Sequence, residues 1–383
     1  ISVYLEQRLP LFRKTPWFLD RLWDSPSVIK AASSRWVRTD PRLLGELTVS
    51  VLKGETGFQR KEILKLLHWL SREAPPEVVN LPNSLLIGLA RPIKKSLNRP
   101  VVCTLQGEDL FLEGLLEPYK KQALELIRAG VDCVDLFVPV SQYHARFMAD
   151  YLGIPRDKIR VIPLGINLDG YSPTRRSRTE PFRVGYLARV TPEKGLHVLC
   201  ETYRRMRRDY GLPASRLEAA GYLAHEHQDY LRGIERKMKE WGLGEEFQYR
   251  GVLTRQEKLA FLKTLDVFSV PATYDDPKGI YVLEAMASGV PVVQPRRGAF
   301  TEMIESTAGG LLVDSGDDEA LARGILSIWK NPALGEELSR KGAEGVRRHY
   351  SITRMAEGMI EAYEHVLESA SPRVTASELA EFT

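Results

Sequence analysis

The chain has 383 residues, 43% of them apolar, enough for two or more domains that each build a core. Its 54 basic and 50 acidic side chains are spread unevenly: residues 1–180 hold 27 basic against 20 acidic, and residues 181–383 hold 27 against 30. No apolar run approaches the roughly 20 residues of a membrane span, Cys103, Cys133 and Cys200 form neither a disulfide framework nor a metal-spaced set, and no dinucleotide-binding or P-loop glycine signature occurs, so those classes lose support.

Residues 1–74 read as mostly helical. Trp17–Trp23 and Glu62–Trp69 carry apolar residues at helical spacing, and Trp17, Trp23, Trp36 and Trp69 are expected to be core aromatics. From Val78 the pattern changes. Val78–Asn80, Val101–Leu105, Leu136–Val140 and Ile159–Ile162 read as short buried strands, with helices at Tyr119–Arg128 and Gln142–Tyr151 between them. Alternating strand and helix predicts a parallel sheet with crossover helices. Ser172–Pro181, polar, basic and flanked by prolines, is the best linker candidate.

After it the alternation restarts. Strands are predicted at Phe182–Leu187, Arg216–Ala220, Phe247–Arg250 and Leu265–Pro271, and helices at Leu196–Arg208, Gln228–Trp241, Arg255–Lys263, Gly279–Ser288, Glu319–Trp329 and Ile352–Glu368. Residues 370–383, small and polar, are expected to fray. The fold class is therefore α/β: two doubly wound, Rossmann-like domains, expected to face each other across a cleft. The boundaries are 1–176 for the first domain, with the helix at about 352–369 returning to it, and 177–351 for the second. A chain that begins at Ile1 with no leader is expected to be a piece of a longer one, lacking the first strands of its first sheet. Sparse, unpaired cysteines point to a reducing, cytoplasmic location.

The richest stretch is Ser269 to Val293, read as strand, acidic loop, short helix, turn and strand. A helix starting near Gly279 aims its unpaired amides and its dipole into the preceding loop, which suits a phosphate. A glycine there lets the backbone approach closely. Glu284 lies five residues on, about 7–8 Å along the axis, where a carboxylate can accept from a vicinal diol. Asp276, on the other side of the phosphate position, is placed to reach the group beyond it. A second segment, Gly185 to Gly195, runs from a strand into a helix and puts Arg189 and Lys194 at the strand's mouth. Two fixed cations there would stabilise a diphosphate leaving group without a metal. Other features read as structural. His225-Glu-His227 lacks further ligands at metal spacing, Tyr203–Arg208 is a solvated basic helix end, and Asp109 fits a helix N-cap.

Taken together, these segments resemble glycosyltransferase family 4, retaining enzymes of the GT-B fold. The resemblance rests on Asp276-x7-Glu284 followed by Ala-Met-Ala-Ser-Gly-Val-Pro-Val-Val, on Gly185–Gly195, on Pro163-Leu-Gly-Ile-Asn167, on Arg250-Gly251-Val252 and on His349-Tyr350-Ser351; it is weaker at Thr104–Asp109 and Val140-Ser141. It implies that Arg189 and Lys194 bind the donor diphosphate and that Glu284 holds the ribose. Gly279, Ile280 and Tyr281 would give backbone contacts to the phosphates, Gly185, Gly251 and Val252 would complete the donor site, and Asp276 would address the transferred sugar. It also implies a metal-independent, retaining hexosyl transfer from a nucleoside-diphosphate sugar to a glycan, lipid or small-molecule acceptor, of the kind used in cell-envelope or exopolysaccharide biosynthesis. No cofactor beyond the donor and no nucleic-acid partner is expected. The basic N-terminal half could meet an anionic membrane at its inner face.

The chain departs from the family pattern at Asp276, where the family prefers Glu, at Lys278, which replaces an aromatic and adds charge beside the phosphate position, and at Gln106, which replaces a His near the donor sugar. Glutamine keeps hydrogen bonding but does not titrate near neutral pH, so Gln106 suits sugar recognition rather than proton transfer. Two other readings stay open: a sugar-nucleotide epimerase on the same fold, and a non-catalytic nucleotide-sugar-binding protein.

Overall fold

The computed structural model describes residues 2–13, 15, 40–72, 75–173, 181–213 and 215–370. Trp17, Trp23, Trp36, most of the linker candidate and nearly all of the tail lie outside them. The chain forms two compact units: Ile1–Val140, His144–Ile162 and Gly358–Thr383 make one, and Ser141–Tyr143 with Pro163–Glu357 make the other. The crossing at Ile162 falls earlier than the expected 176.

In the first unit, strands β1 (Val79–Leu81), β2 (Val101–Leu105) and β3 (Leu136–Pro139) form a parallel sheet in chain order. Their apolar residues pack under helices Arg60–Arg72, Ala90–Leu97, Tyr119–Gly130 and Gln142–Leu152, with Ile87, Ile93, Leu105, Leu112, Ile127 and Phe137 at the centre. The expected strand at Ile159–Ile162 reduces to one bridge, Phe137 with Ile159. Arg160 and Ile162 still donate backbone bonds to Phe137 and Pro139, but Pro163 has no N–H to continue the ladder. Trp69 is 57% exposed rather than a core residue, because Ile63 and Leu67 supply the buried stripe of its helix. The last turns of the C-terminal helix, Ile352–Ala370, belong to this unit. They are fixed by buried Ala362 and Val366, by the Arg160–Glu361 pair at 2.6 Å and by the Tyr363 hydroxyl accepting from Asn80.

In the second unit six parallel strands run in the order β6-β5-β4-β7-β8-β9. They are β4 (Phe182–Leu187), β5 (Ser215–Ala220), β6 (Phe247–Tyr249), β7 (Val267–Phe268), β8 (Val292–Pro295) and β9 (Gly310–Val313). The strand order reverses between β4 and β7. In an open α/β sheet that point, at the carboxyl ends of the strands, is where ligands bind. The predicted strand Leu265–Pro271 keeps only Val267–Phe268 as ladder, since Pro271 lacks an amide. Helix Phe300–Thr307, strand β9 and helix Pro332–His349 have no counterpart in the sequence reading. The basic helix end is not a simple solvated face: Arg207 pairs with Glu246 at 2.8 Å, and the Tyr203 hydroxyl donates to the same carboxylate at 2.5 Å.

Candidate functional site

Two loops leave the sheet at the reversal, Ala188–Gly195 after β4 and Ser269–Gly279 after β7, and they are tied together. The Thr273 amide donates to the Glu193 carbonyl at 2.9 Å. Gly195, at φ +73°, packs so closely on the Pro271 carbonyl that a side chain would overlap it. Beneath the second loop, Gly298 adopts φ +52°, and an added Cβ would lie 2.7 Å from the Asp276 nitrogen. The Ala299 amide donates to the Asp276 carbonyl at 2.9 Å, so the loop is fixed from below.

Asp276 sits at the junction, 3% exposed. Its Oδ2 accepts from Lys194 Nζ at 2.5 Å and from the Tyr281 hydroxyl at 2.6 Å. Its Oδ1 accepts from the Lys278 and Gly279 amides at 3.0 and 3.3 Å. Lys194, only 6% exposed, also donates to the Tyr274 hydroxyl at 2.5 Å and lies 4.8 and 5.1 Å from the Tyr274 and Tyr281 ring centres. Burial works to raise the Asp276 carboxyl, but the Lys194 charge and the bonds from Lys194, Tyr281 and the Lys278 amide bring it below the usual carboxylate range. Burial pulls the Lys194 ammonium down, against the attraction of Asp276.

In this arrangement two residues expected to face the donor pair with each other. Asp276 was expected to address a sugar, yet both its oxygens are taken by protein donors. Lys194 was expected to face a diphosphate, yet it is buried on Asp276. The buried ion pair neutralises both charges inside the fold. Arg189, by contrast, is exposed, and its guanidinium joins no ion pair among the described residues. Lys278 is partly exposed and likewise unpaired. The Arg189 carbonyl accepts from the Tyr186 hydroxyl at 3.0 Å, which anchors the loop behind it.

Helix Ile280–Ala287 begins at Gly279, whose φ of +53° and 3.0 Å clearance from Met303 Sδ to an added Cβ account for the glycine. One and a half turns on, Glu284 Oε1 accepts from the Tyr171 hydroxyl at 3.0 Å and from Lys258 Nζ. Oε2 accepts from none of the described residues. Lys258 stands on helix Arg255–Lys263, which Thr254 and Glu257 close with a capping box. Gly251, at φ +73° with open space around it, and Val252, 67% exposed, form the turn after β6. Arg250 before them turns back to the buried Glu218 of β5, which Arg183 of β4 also holds, so its charge serves the sheet.

Gly185 has a packing role. It lies mid-strand, where a Cβ would overlap the Leu265 side chain. Gly185→Val is expected to destabilise the second unit by about 1–3 kcal/mol through overpacking, read from a chemical denaturation midpoint, with donor affinity per folded molecule unchanged. Gln106 lies in the first unit, after β2. Its amide donates to Glu108 Oε2 at 2.7 Å and its side-chain nitrogen to the Pro82 carbonyl at 3.1 Å. Glu108 is buried and also takes the Ser84 amide and hydroxyl, while the Gly107 amide donates to His144 Nε2 at 3.1 Å. Asp109 is the first residue of its short helix, and Glu108 holds the cap position.

Sequence reasoning missed Tyr274, Tyr281 as a side chain, Lys258, Tyr171 and Glu108. The signal available was an acid flanked by tyrosines two residues before and five after; the partners of Glu284 come from remote segments.

The model of the Glycosyltransferase Family 4 domain matches residues 38–169, and that of Glycosyl transferases group 1 matches residues 171–345. Between them the two matches span most of the chain and make it family 4-like. The phosphatidyl-myo-inositol mannosyltransferase of Mycobacterium leprae is 30% identical over 247 residues, a stretch covering 63% of this chain and 62% of that protein. Among solved structures, sucrose-phosphate synthase from Thermosynechococcus elongatus superposes with a TM-score of 0.68 at 20% identity, over 82% of this chain and 79% of that one. Anabaena HepE, solved with UDP-glucose, gives 0.64 at 16% identity over 95% of each chain. These likenesses establish the GT-B fold. No helix among the described residues is long and apolar enough to cross a membrane.

Proposed function

We propose that this family 4-like chain is a retaining glycosyltransferase that moves a hexose-type sugar from a nucleoside diphosphate to a glycan, lipid or small-molecule acceptor. One observation carries the reading. At the strand-order reversal, a helix N-terminus opened by Gly279, the exposed Arg189 and the half-open carboxylate of Glu284 all belong to one compact unit. The amides of Ile280 and Tyr281 and the helix dipole suit the diphosphate, with Gly279 letting the backbone approach closely, Arg189 and Lys278 supply cations, and Glu284 Oε2 suits the ribose hydroxyls. The turn Gly251-Val252 suits the base. The HepE complex with UDP-glucose supports a donor of this class.

In the transfer, the bond from the anomeric carbon to the β-phosphate oxygen breaks, and its electron pair stays on that oxygen. The acceptor hydroxyl oxygen bonds to the anomeric carbon from the same face, and its proton passes to the leaving phosphate. The role of the protein is to hold the departing charge in preorganised donors; this reading calls on no metal ion. Asp276 contributes by organising the loop that meets the sugar, and Gln106 serves recognition rather than proton transfer. A cytoplasmic setting, with the basic first unit against an anionic membrane, belongs to the same proposal.

Calorimetry with UDP, GDP and ADP tests it. One of the three is expected to bind, and Glu284→Ala is expected to weaken that binding by about 1–3 kcal/mol, the value of charge-assisted hydrogen bonds to the ribose. Unchanged affinity in the variant would remove Glu284 from the site.

A further inference from the structure

Beside the groups assigned to the donor, Lys194, Asp276, Tyr274 and Tyr281 form a buried polar cluster in the second unit. We infer that Tyr281 is a positioning residue that acts through Asp276, holding the carboxylate at the angle that locks Lys194 and shapes the Asp276–Gly279 loop.

The geometry carries this. A carboxylate at the base of a four-residue loop can turn about its side-chain torsions. Here Oδ2 is shared by two donors from different elements, Lys194 at 2.5 Å from the β4 loop and the Tyr281 hydroxyl at 2.6 Å from the helix. With Oδ2 fixed, Oδ1 faces the Lys278 and Gly279 amides. The Tyr281 ring is itself held, its centre 6.1 Å from that of Phe300 and 6.4 Å from that of Phe268. The phenol is therefore a rigid donor, not a mobile one. Tyr274 differs in where it stands: it belongs to the loop itself, its hydroxyl accepts from Lys194 at 2.5 Å and also interacts with Asp276, so it does not tie the carboxylate to the helix. Tyr281 thus couples the helix start to the β4 loop, so the backbone at Gly279 and the cation behind it keep one spacing.

The inference depends on the donor reading only for its kinetic consequence, so the test has two arms. In lysine-ammonium NMR, the Lys194 Nζ protons are expected to exchange slowly in the wild-type chain and in Tyr274→Phe, and to be lost to exchange in Tyr281→Phe. In transfer assays with the sugar of whichever nucleotide binds, Tyr281→Phe is expected to lower kcat at least tenfold with nucleotide Kd within threefold, while Tyr274→Phe stays within threefold in both. A Lys194 signal that survives Tyr281→Phe overturns the inference, and so does a kcat within twofold of wild type. If the wild-type chain transfers no sugar, the donor reading fails, and the NMR arm still decides the role of Tyr281.

Discussion

Asp276→Ala is expected to destabilise the chain by about 3–5 kcal/mol, because it leaves the buried Lys194 ammonium without its counter-charge. The reverse change, Lys194→Met, strands Asp276 instead and is expected to cost a similar amount. Both are readable as denaturation midpoints. The pH dependence follows from the carboxyl. Burial raises its pKa, and Lys194 with the Tyr281 and amide donors more than reverses this, so the native carboxyl titrates below the ordinary value of about 3.9. A depressed native pKa contributes stability that is fully present above the unfolded value and is lost as pH falls through the native one. The stability gap between wild type and Asp276→Asn should therefore hold steady from about pH 5 to 8 and narrow below about pH 4. A gap that widens in acid would contradict the pairing.

Arg189→Ala is expected to leave the fold alone and to lower transfer by about 10²–10³-fold, the range for removing one preorganised donor from a developing negative charge. The contrast with Asp276→Ala separates the two parts of the site. Arg189 is exposed and its guanidinium is unpaired among the described residues, so its loss opens no cavity and strands no charge. Thermal melting and single-turnover transfer measured together check this. A melting temperature lowered by several degrees, or transfer within threefold of wild type, would move Arg189 out of the diphosphate position.

The second unit was legible in the sequence where its strands are apolar and bounded. Phe182–Leu187 reads as a buried strand and is one, because each residue but Arg183 is buried. Helix Ile280–Ala287 was legible from its good helix formers between Gly279 and Gly289. Strand β9 was not, since Gly310–Val313 is half-buried and short. Helix Pro332–His349 was hidden by three internal glycines, of which Gly342 and Gly345 let it pack against Gly309 and Thr307. Within the candidate site, position along the chain singled out Gly279, Glu284 and Arg189 as expected donor contacts. It could not mark which charges are spent inside the fold. Lys194 and Asp276 are 82 residues apart, and only the packing of the β4 and β7 loops shows that they neutralise each other. Packing adds a reason the sequence could not show for Gly185: a glycine in a motif segment reads as room for a ligand, and in the fold it also makes room for Leu265.

The central claim is that the strand-order reversal of the second unit holds a nucleoside diphosphate. A crystal structure with the best-binding of UDP, GDP and ADP tests it most directly. The account predicts phosphate oxygens on the amides of Ile280 and Tyr281 and on Arg189, ribose hydroxyls on Glu284, and the Lys194–Asp276 pair intact behind them. A nucleotide bound elsewhere on the chain, or a diphosphate that displaces Asp276 from Lys194, would contradict it.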